Sequence, residues 1–261
     1  MKVQDLDDPP LTEVRYLNAG PRGTTISDRL LVLRGTLAGG TVADELDAVV
    51  ACSDLQGIVR RHDGEVLLGV AVARVLAKLA EDGIVPPTAR TGVILAGDLY
   101  SVPGAARRGG LGDVSAVWAA FAESFAWVAG VAGNHDDVDA VRAIAGVHLL
   151  DTEVVELSGI RIGGVGGIIG NPEKPMRRLE LDFLDRMDRV IDAGIELLVL
   201  HEGPNGSTDQ RGNPVLRDVI EAGGVGLTIC GHRHWDDPLA EHAGGQILNV
   251  DARVVVLVIR R

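Results

Sequence analysis

Lysine is nearly missing from this 261-residue chain, standing only at positions 2, 78 and 174, so arginine carries most of the positive charge. A GC-rich coding bias accounts for that better than any function. Aromatic residues make up only 3%, which excludes a core built on rings and leaves Val, Leu, Ile and Ala to fill it, as in buried parallel strands flanked by helices. Basic surplus is absent too. A formal net charge of −12 argues against non-specific nucleic-acid binding, which needs a basic surface. The first ten residues are acidic and polar with no apolar signal core, and no run is long enough to span a membrane. A cytoplasmic protein is therefore expected, with no membrane partner and an oligomeric state the sequence leaves open. There are two cysteines, Cys52 and Cys230, each ending an apolar run. They are expected to be small buried free thiols rather than a disulfide.

What the chain does have is five short polar strings, each following an apolar, β-branched run: Ser53 to Gly57, Gly97 to Tyr100, Gly133 to Asp136, His201 to Pro204 and Gly231 to His234. A buried strand that ends in Asp, Asn or His delivers that side chain to the edge of a sheet. Five such deliveries gather the donor types that divalent cations need. The remaining sequence alternates in the same way. Residues 26–33, 48–52, 93–96, 127–132, 197–200 and 227–230 read as strands, with 247–259 β-rich. Residues 66–81, 179–193 and 216–222 read as helices, another is capped by Asp113, and a short helix follows Asp137. Strand–helix alternation predicts a layered α/β fold with ligands at the strands' carboxyl ends. Residues 1–22, broken by Asp-Asp-Pro-Pro and Gly-Pro-Arg-Gly, read as a loosely ordered leader, and 23–261 as a single domain.

The ordered set Asp54, Gly97-Asp98, Gly133-Asn134-His135-Asp136, His201 and Gly231-His232-Arg233-His234 resembles the calcineurin-like metallophosphoesterase superfamily. The resemblance implies a four-layer αββα sandwich of two mixed sheets with a dinuclear metal centre at one edge. It also implies a hydrolase of phosphate mono- or diesters, with a metal-activated, bridging hydroxide as nucleophile and a small phosphorylated substrate. Carried over by position, Asp54 and His234 would bind the first metal, Asp98 would bridge both, Asn134, His201 and His232 would hold the second, and His135 would be the general acid. This donor set suits Mn, with Fe, Zn or Mg as alternatives.

The chain departs from the family pattern at two places. Gln56 stands where a histidine is usual and could ligate only through a neutral amide oxygen, which implies a weakened first site. Ser101 stands three residues beyond Asp98, where related phosphatases carry the acid that orients the catalytic histidine. Arg107 and Arg108 in the following loop are candidates for the substrate phosphate. Two other readings remain: a non-catalytic scaffold that keeps the fold for protein binding, favoured by Gln56 and Ser101, and a metal-dependent nuclease, disfavoured by the acidic charge. His62, His148 and His242 are expected to be structural or solvated. The glycine run at 163–167 has no following Lys-Ser or Lys-Thr and so fails as a nucleotide-phosphate loop. No Gly-x-Ser-x-Gly elbow occurs, which disfavours serine-hydrolase chemistry.

Overall fold

The strands Ala48–Ser53 and Thr91–Leu95 contain no residue that reaches solvent, on either face. Such strands must be covered on both sides, and that requirement sets the layering. The computed structural model describes residues 1–62, 64–207 and 209–261. Among them, the larger sheet has ten strands. Val147–Leu149, Trp127–Gly130, Thr91–Leu95 and Ala48–Ser53 run parallel. Arg253–Arg260 joins antiparallel to Ala48–Ser53, then comes Thr25–Ala38, then Thr12–Ala19. Ile58–Arg61 and Gly64–Leu67 finish that edge.

The smaller sheet orders Val154–Leu157, Ile160–Val165, Leu197–Glu202, Leu227–Gly231, Gly245–Asn249 and Leu239–His242. Its four inner strands are parallel and its two edges antiparallel. The apolar residues fall into three clusters that match three interfaces between layers. Between the sheets lie Val49, Ala51, Ile94 and Val131 against Ile162, Leu197, Val199 and Ile229. Helices α1 (Leu68–Glu81) and α2 (Ser115–Ala122) cover the outer face of the larger sheet through Leu76, Val117, Trp118 and Phe121. Helices α3 (Glu180–Asp192) and α4 (Pro214–Ala222) cover the smaller one through Phe183, Met187, Leu216 and Ile220. This is the αββα sandwich the motifs imply.

The structure corrects several local expectations. Residues 1–22 are not a loose leader: Lys2–Leu6 and Thr12–Ala19 are strands that bury Val3, Val14 and Tyr16. Thr25–Ala38 is fourteen residues long and pairs with both, so Asp-Asp-Pro-Pro makes only the turn between them. Residues 64–67 are an edge strand and α1 starts at Leu68. Val114 occupies the N-cap of α2, while Asp113 accepts from the Ser115 N–H at 2.8 Å. The helix after Asp137 is one three-residue turn, Val141–Ala143. The β-rich terminus divides, with Gly245–Asn249 in the smaller sheet and Arg253–Arg260 in the larger. Cys52 and Cys230 are free and buried on different sheets, and burial pushes the Cys52 thiol up to about 12. No helix among the described residues is long and apolar enough to cross a membrane.

Phe183 is fully buried between α3 and the smaller sheet. Phe183→Ala is expected to lower the unfolding free energy by ~3–5 kcal/mol through lost transfer energy and the cavity left behind. A denaturant titration showing less than about 1 kcal/mol of loss would mean that α3 is not packed as described.

Candidate metal centre

All five polar strings reach the same edge because their strands are parallel within each sheet and the two sheets are stacked. Asp54 follows Ala48–Ser53, Asp98 follows Thr91–Leu95, and Asn134 follows Trp127–Gly130. From the facing sheet, His201 lies in Leu197–Glu202 and His232 follows Leu227–Gly231. The turns are tight. Asp54, Asp98 and His232 adopt left-handed backbone conformations at φ 54°, 54° and 68°, which non-glycine residues adopt at a cost that clusters at functional sites. The motif glycines have a steric reason. A Cβ on Gly133 would sit 2.1 Å from the Asp98 nitrogen, and one on Gly231 would sit 2.0 Å from Ser53 Oγ. No larger residue would let these strand ends approach.

Asp98 is the hub and is only 3% exposed. Its Oδ1 accepts from the His135 N–H at 2.9 Å, and its Oδ2 from Gln56 Nε2 at 3.2 Å. His201 Nε2 lies 3.4 Å from Oδ1. One ligand atom from each of Asp98, His201 and His232 lies within 4.8 Å of the others, and the two imidazole centroids are 5.1 Å apart. Asp54 joins through Oδ2, which accepts from the His232 N–H at 2.9 Å and the Ser53 hydroxyl at 2.6 Å. The Asn134 side chain is mostly buried, with no donor to its Oδ1 among the described residues.

The electrostatics are those of a cation site. Burial pushes the Asp54 carboxyl well above its usual range, and Asp251 and Asp98 add to the shift. Burial also opposes charge on Asp98, but the neighbouring His201 and His135 hold that carboxyl below its usual value. For His201, burial works downward while Asp98 and Asp54 pull it up to about 10. Burial and the adjacent His201 drop His232 to about 4. A proton on His201, between the buried Asp98 and the half-buried Asp54, thus stands in for positive charge that the site demands.

Donor geometry fits a metal ion. The Ala96 carbonyl lies 2.8 Å from His201 Nδ1, so the proton of the neutral ring belongs on that nitrogen and the Nε2 lone pair is left over. His201 Nε2 and Asn134 Oδ1 are both buried without a hydrogen-bond partner. Carboxylate, imidazole and amide oxygen together suit Mn, Fe or Zn.

The other candidates stand differently. Gln56 turns its amide nitrogen, not its oxygen, towards Asp98. The His234 side chain is 54% exposed, with Nδ1 3.3 Å from Asp251 Oδ1 and Nε2 3.2 Å from an Arg253 nitrogen. It does not join the group of Asp98, His201 and His232. His135 faces the site, with Nε2 3.9 Å from Asp98 Oδ2. Arg107 is exposed, and Arg108 Nε donates to the Ala19 carbonyl at 3.2 Å.

Sequence reasoning missed the supports. Asp136, the fourth residue of its motif, accepts from the Leu99 and Tyr100 N–H groups through Oδ1 and from Gly133 N–H through Oδ2, tying two ligand loops together. Asp251 and Arg253 carry no local signal; the bridge between Ser53 and Asp251 and the pairing of Arg253 with Ser53 bring them to the edge. Gly163 and Gly164 lie in the strand Ile160–Val165, and Gly167 N–H donates to the Ala132 carbonyl at 2.8 Å.

Similarity to known proteins agrees with this geometry. A solved structure, that of TT1561 from Thermus thermophilus, superposes with a TM-score of 0.51 at 18% identity, covering 81% of this chain and 88% of that one. The protein of unknown function AQ665 from Aquifex aeolicus aligns with a TM-score of 0.36 at 15% identity, over 80% of this chain and 95% of that one, too low to bear on the fold. No curated protein matches the chain in sequence. The profile described as Calcineurin-like phosphoesterase matches residues 48–236, a span that contains every strand end described above. This chain belongs to the calcineurin-like phosphoesterase family.

Proposed function

We propose that the protein hydrolyses small phosphate mono- or diesters with a pair of divalent cations, manganese foremost, bound at this edge. The observation that supports it most is the pair of buried polar atoms without hydrogen-bond partners, Asn134 Oδ1 and His201 Nε2, beside Asp98 and His232. Asp98, Asn134, His201 and His232 would hold one cation; Asp54, Gln56 and His234 would hold the other, with Asp98 shared. Such a pair supplies activation of water and neutralisation of charge on the phosphoryl oxygens. The chain's own residues do the rest. His135, with Nε2 on the Asp98 side, protonates the departing oxygen, and Asp136 holds the loops of Asp98 and Asn134 at fixed separation. A phosphate is drawn into an acidic protein because cations reverse the sign of the local field. Two buried free thiols fit the reducing cytoplasm as its compartment.

The two cation sites should differ in strength. Gln56 offers an amide nitrogen to Asp98, and His234 is engaged with Asp251 and Arg253, so the site they would build must rearrange before it can bind. Equilibrium dialysis with metal analysis is expected to show one tight equivalent of Mn and a second, weaker one. Gln56→His should tighten only the second. Two equivalents of equal, tight affinity in the unmodified protein would contradict this ranking.

Metal uptake should also depend on pH with a definite sign. His201 binds metal only when Nε2 is bare, and its neighbours raise its pKa to about 10. Protons therefore compete with the cation below that value, and affinity is expected to climb steadily from pH 6 to pH 9. Calorimetry in buffers of different ionisation enthalpy should show proton release on Mn binding. Affinity that falls as pH rises would place the metal elsewhere.

Turnover of p-nitrophenyl phosphate or its bis ester with Mn tests the reading as a whole. His135→Ala should lower kcat by ~10²–10⁴ while metal stoichiometry stays unchanged. Full activity in that variant would remove His135 from the mechanism, and failure to cleave either ester with Mn, Mg, Fe or Zn would favour the scaffold reading.

A further inference from the structure

His135 is gripped at three points. Its N–H donates to Asp98 Oδ1, its carbonyl accepts from the Gly112 N–H at 3.3 Å, and its Nδ1 lies 2.6 Å from the Gly110 carbonyl oxygen. A carbonyl can only accept, so the neutral ring carries its proton on Nδ1. Every proton the ring gains or loses in a reaction must then pass through Nε2, the nitrogen on the Asp98 side. With Ser101 in place of an acid, the orienting partner of the imidazole is the main chain.

That carbonyl belongs to the arm of residues 101–112, and the arm is fastened at a distance from the site. Arg108 Nε donates to the Ala19 carbonyl at the end of the second N-terminal strand. Thr25 Oγ1 donates to the Gly104 carbonyl at 3.2 Å, and Glu65 Oε2 accepts from the Gly104 N–H at 2.9 Å. Gly110 has φ +111°, and a Cβ there would lie 3.0 Å from Val102 Cγ1. Gly112 admits no Cβ beside the Tyr100 ring, 2.2 Å away. The arm therefore presents its carbonyl only in this one backbone conformation.

We propose that the Gly110 carbonyl sets the tautomer and direction of His135, and that Arg108 is a positioning residue which holds the arm through Ala19. The strands in residues 1–22 thereby become part of the catalytic support. A carbonyl in place of a carboxylate fixes direction without placing a full negative charge behind the ring. The tautomer assignment stands on geometry alone, whereas its effect on turnover rests on the hydrolase reading.

Long-range 15N–1H correlation spectra of the histidine-labelled, metal-free protein, at a pH where the ring is neutral, test the first part without any substrate. His135 is expected to be protonated at Nδ1, the reverse of the preference of free imidazole side chains in water. Gly110→Ala should return it to a mixture of tautomers. Protonation at Nε2 in the unmodified protein overturns the proposal. For the second part, Arg108→Ala should reduce kcat roughly 10- to 100-fold, the scale of a slight misplacement of a reacting group. KM and the tight metal equivalent should stay unchanged, and Arg108→Lys should recover part of the loss. A raised KM at unchanged kcat would instead make Arg108 a substrate contact and overturn its positioning role. Because the tautomer is read without turnover, a protein that cleaves no ester but keeps His135 protonated at Nδ1 would refute the hydrolase reading and leave the carbonyl assignment standing.

Discussion

A carboxylate removed from water at the end of a central strand organises this molecule's working edge. Asp98 is nearly inaccessible, and a buried charge is costly unless paired and hydrogen-bonded. Its two oxygens collect a main-chain N–H, an amide nitrogen and the approach of a buried imidazole. Those partners come from segments far apart in the chain, so the need to compensate one charge links the Gln56, His135 and His201 segments. A second carboxylate, the half-buried Asp54, takes its N–H from His232 of the facing sheet. The balance of charge is therefore shared between the layers, and it calls for further positive charge at their junction.

The layers meet closely because the sequence removes side chains where strand ends cross. Gly133 against the Asp98 nitrogen and Gly231 against the Ser53 hydroxyl permit separations that any Cβ would forbid. Asp54, Asp98 and His232 then turn out of their strands in left-handed conformations. Strain of that kind persists only when the surroundings over-determine it. Here they do: fully buried strands on both sheets and three apolar clusters hold the ends in place. Rigidity made by packing is spent on the placement of a few polar atoms.

The halves of the site differ in readiness. Asp98, His201 and His232 already converge, whereas Gln56 turns its nitrogen inward and His234 lies against Asp251 and Arg253. The strand Arg253–Arg260 explains the second case. The chain passes from Gly245–Asn249 of the smaller sheet into this strand in the middle of the larger sheet, and Asp251 before the strand and Arg253 at its start lie against the His234 ring. A chain terminus that looked like plain β structure thus sets the surroundings of a candidate ligand.

Strand ends, their order and the chemistry of the residues after them could be read in the sequence, because a buried apolar run followed by Asp, Asn or His is a local pattern. The layered class followed from the alternation of those runs with helices. The sheet pairing of residues 1–22 could not be read, since short strands beside Asp-Asp-Pro-Pro gain order only from a long partner strand. The same holds for the direction of Gln56 and His234, for Asp251 and Arg253 as neighbours, and for the carbonyl behind His135. Each is a contact between residues distant in sequence, fixed by strand register and loop path. Residue type and local periodicity therefore specified which groups the protein places at its edge. Which of them touch was decided by the packing of two sheets, because only the folded chain sets distances between strand ends.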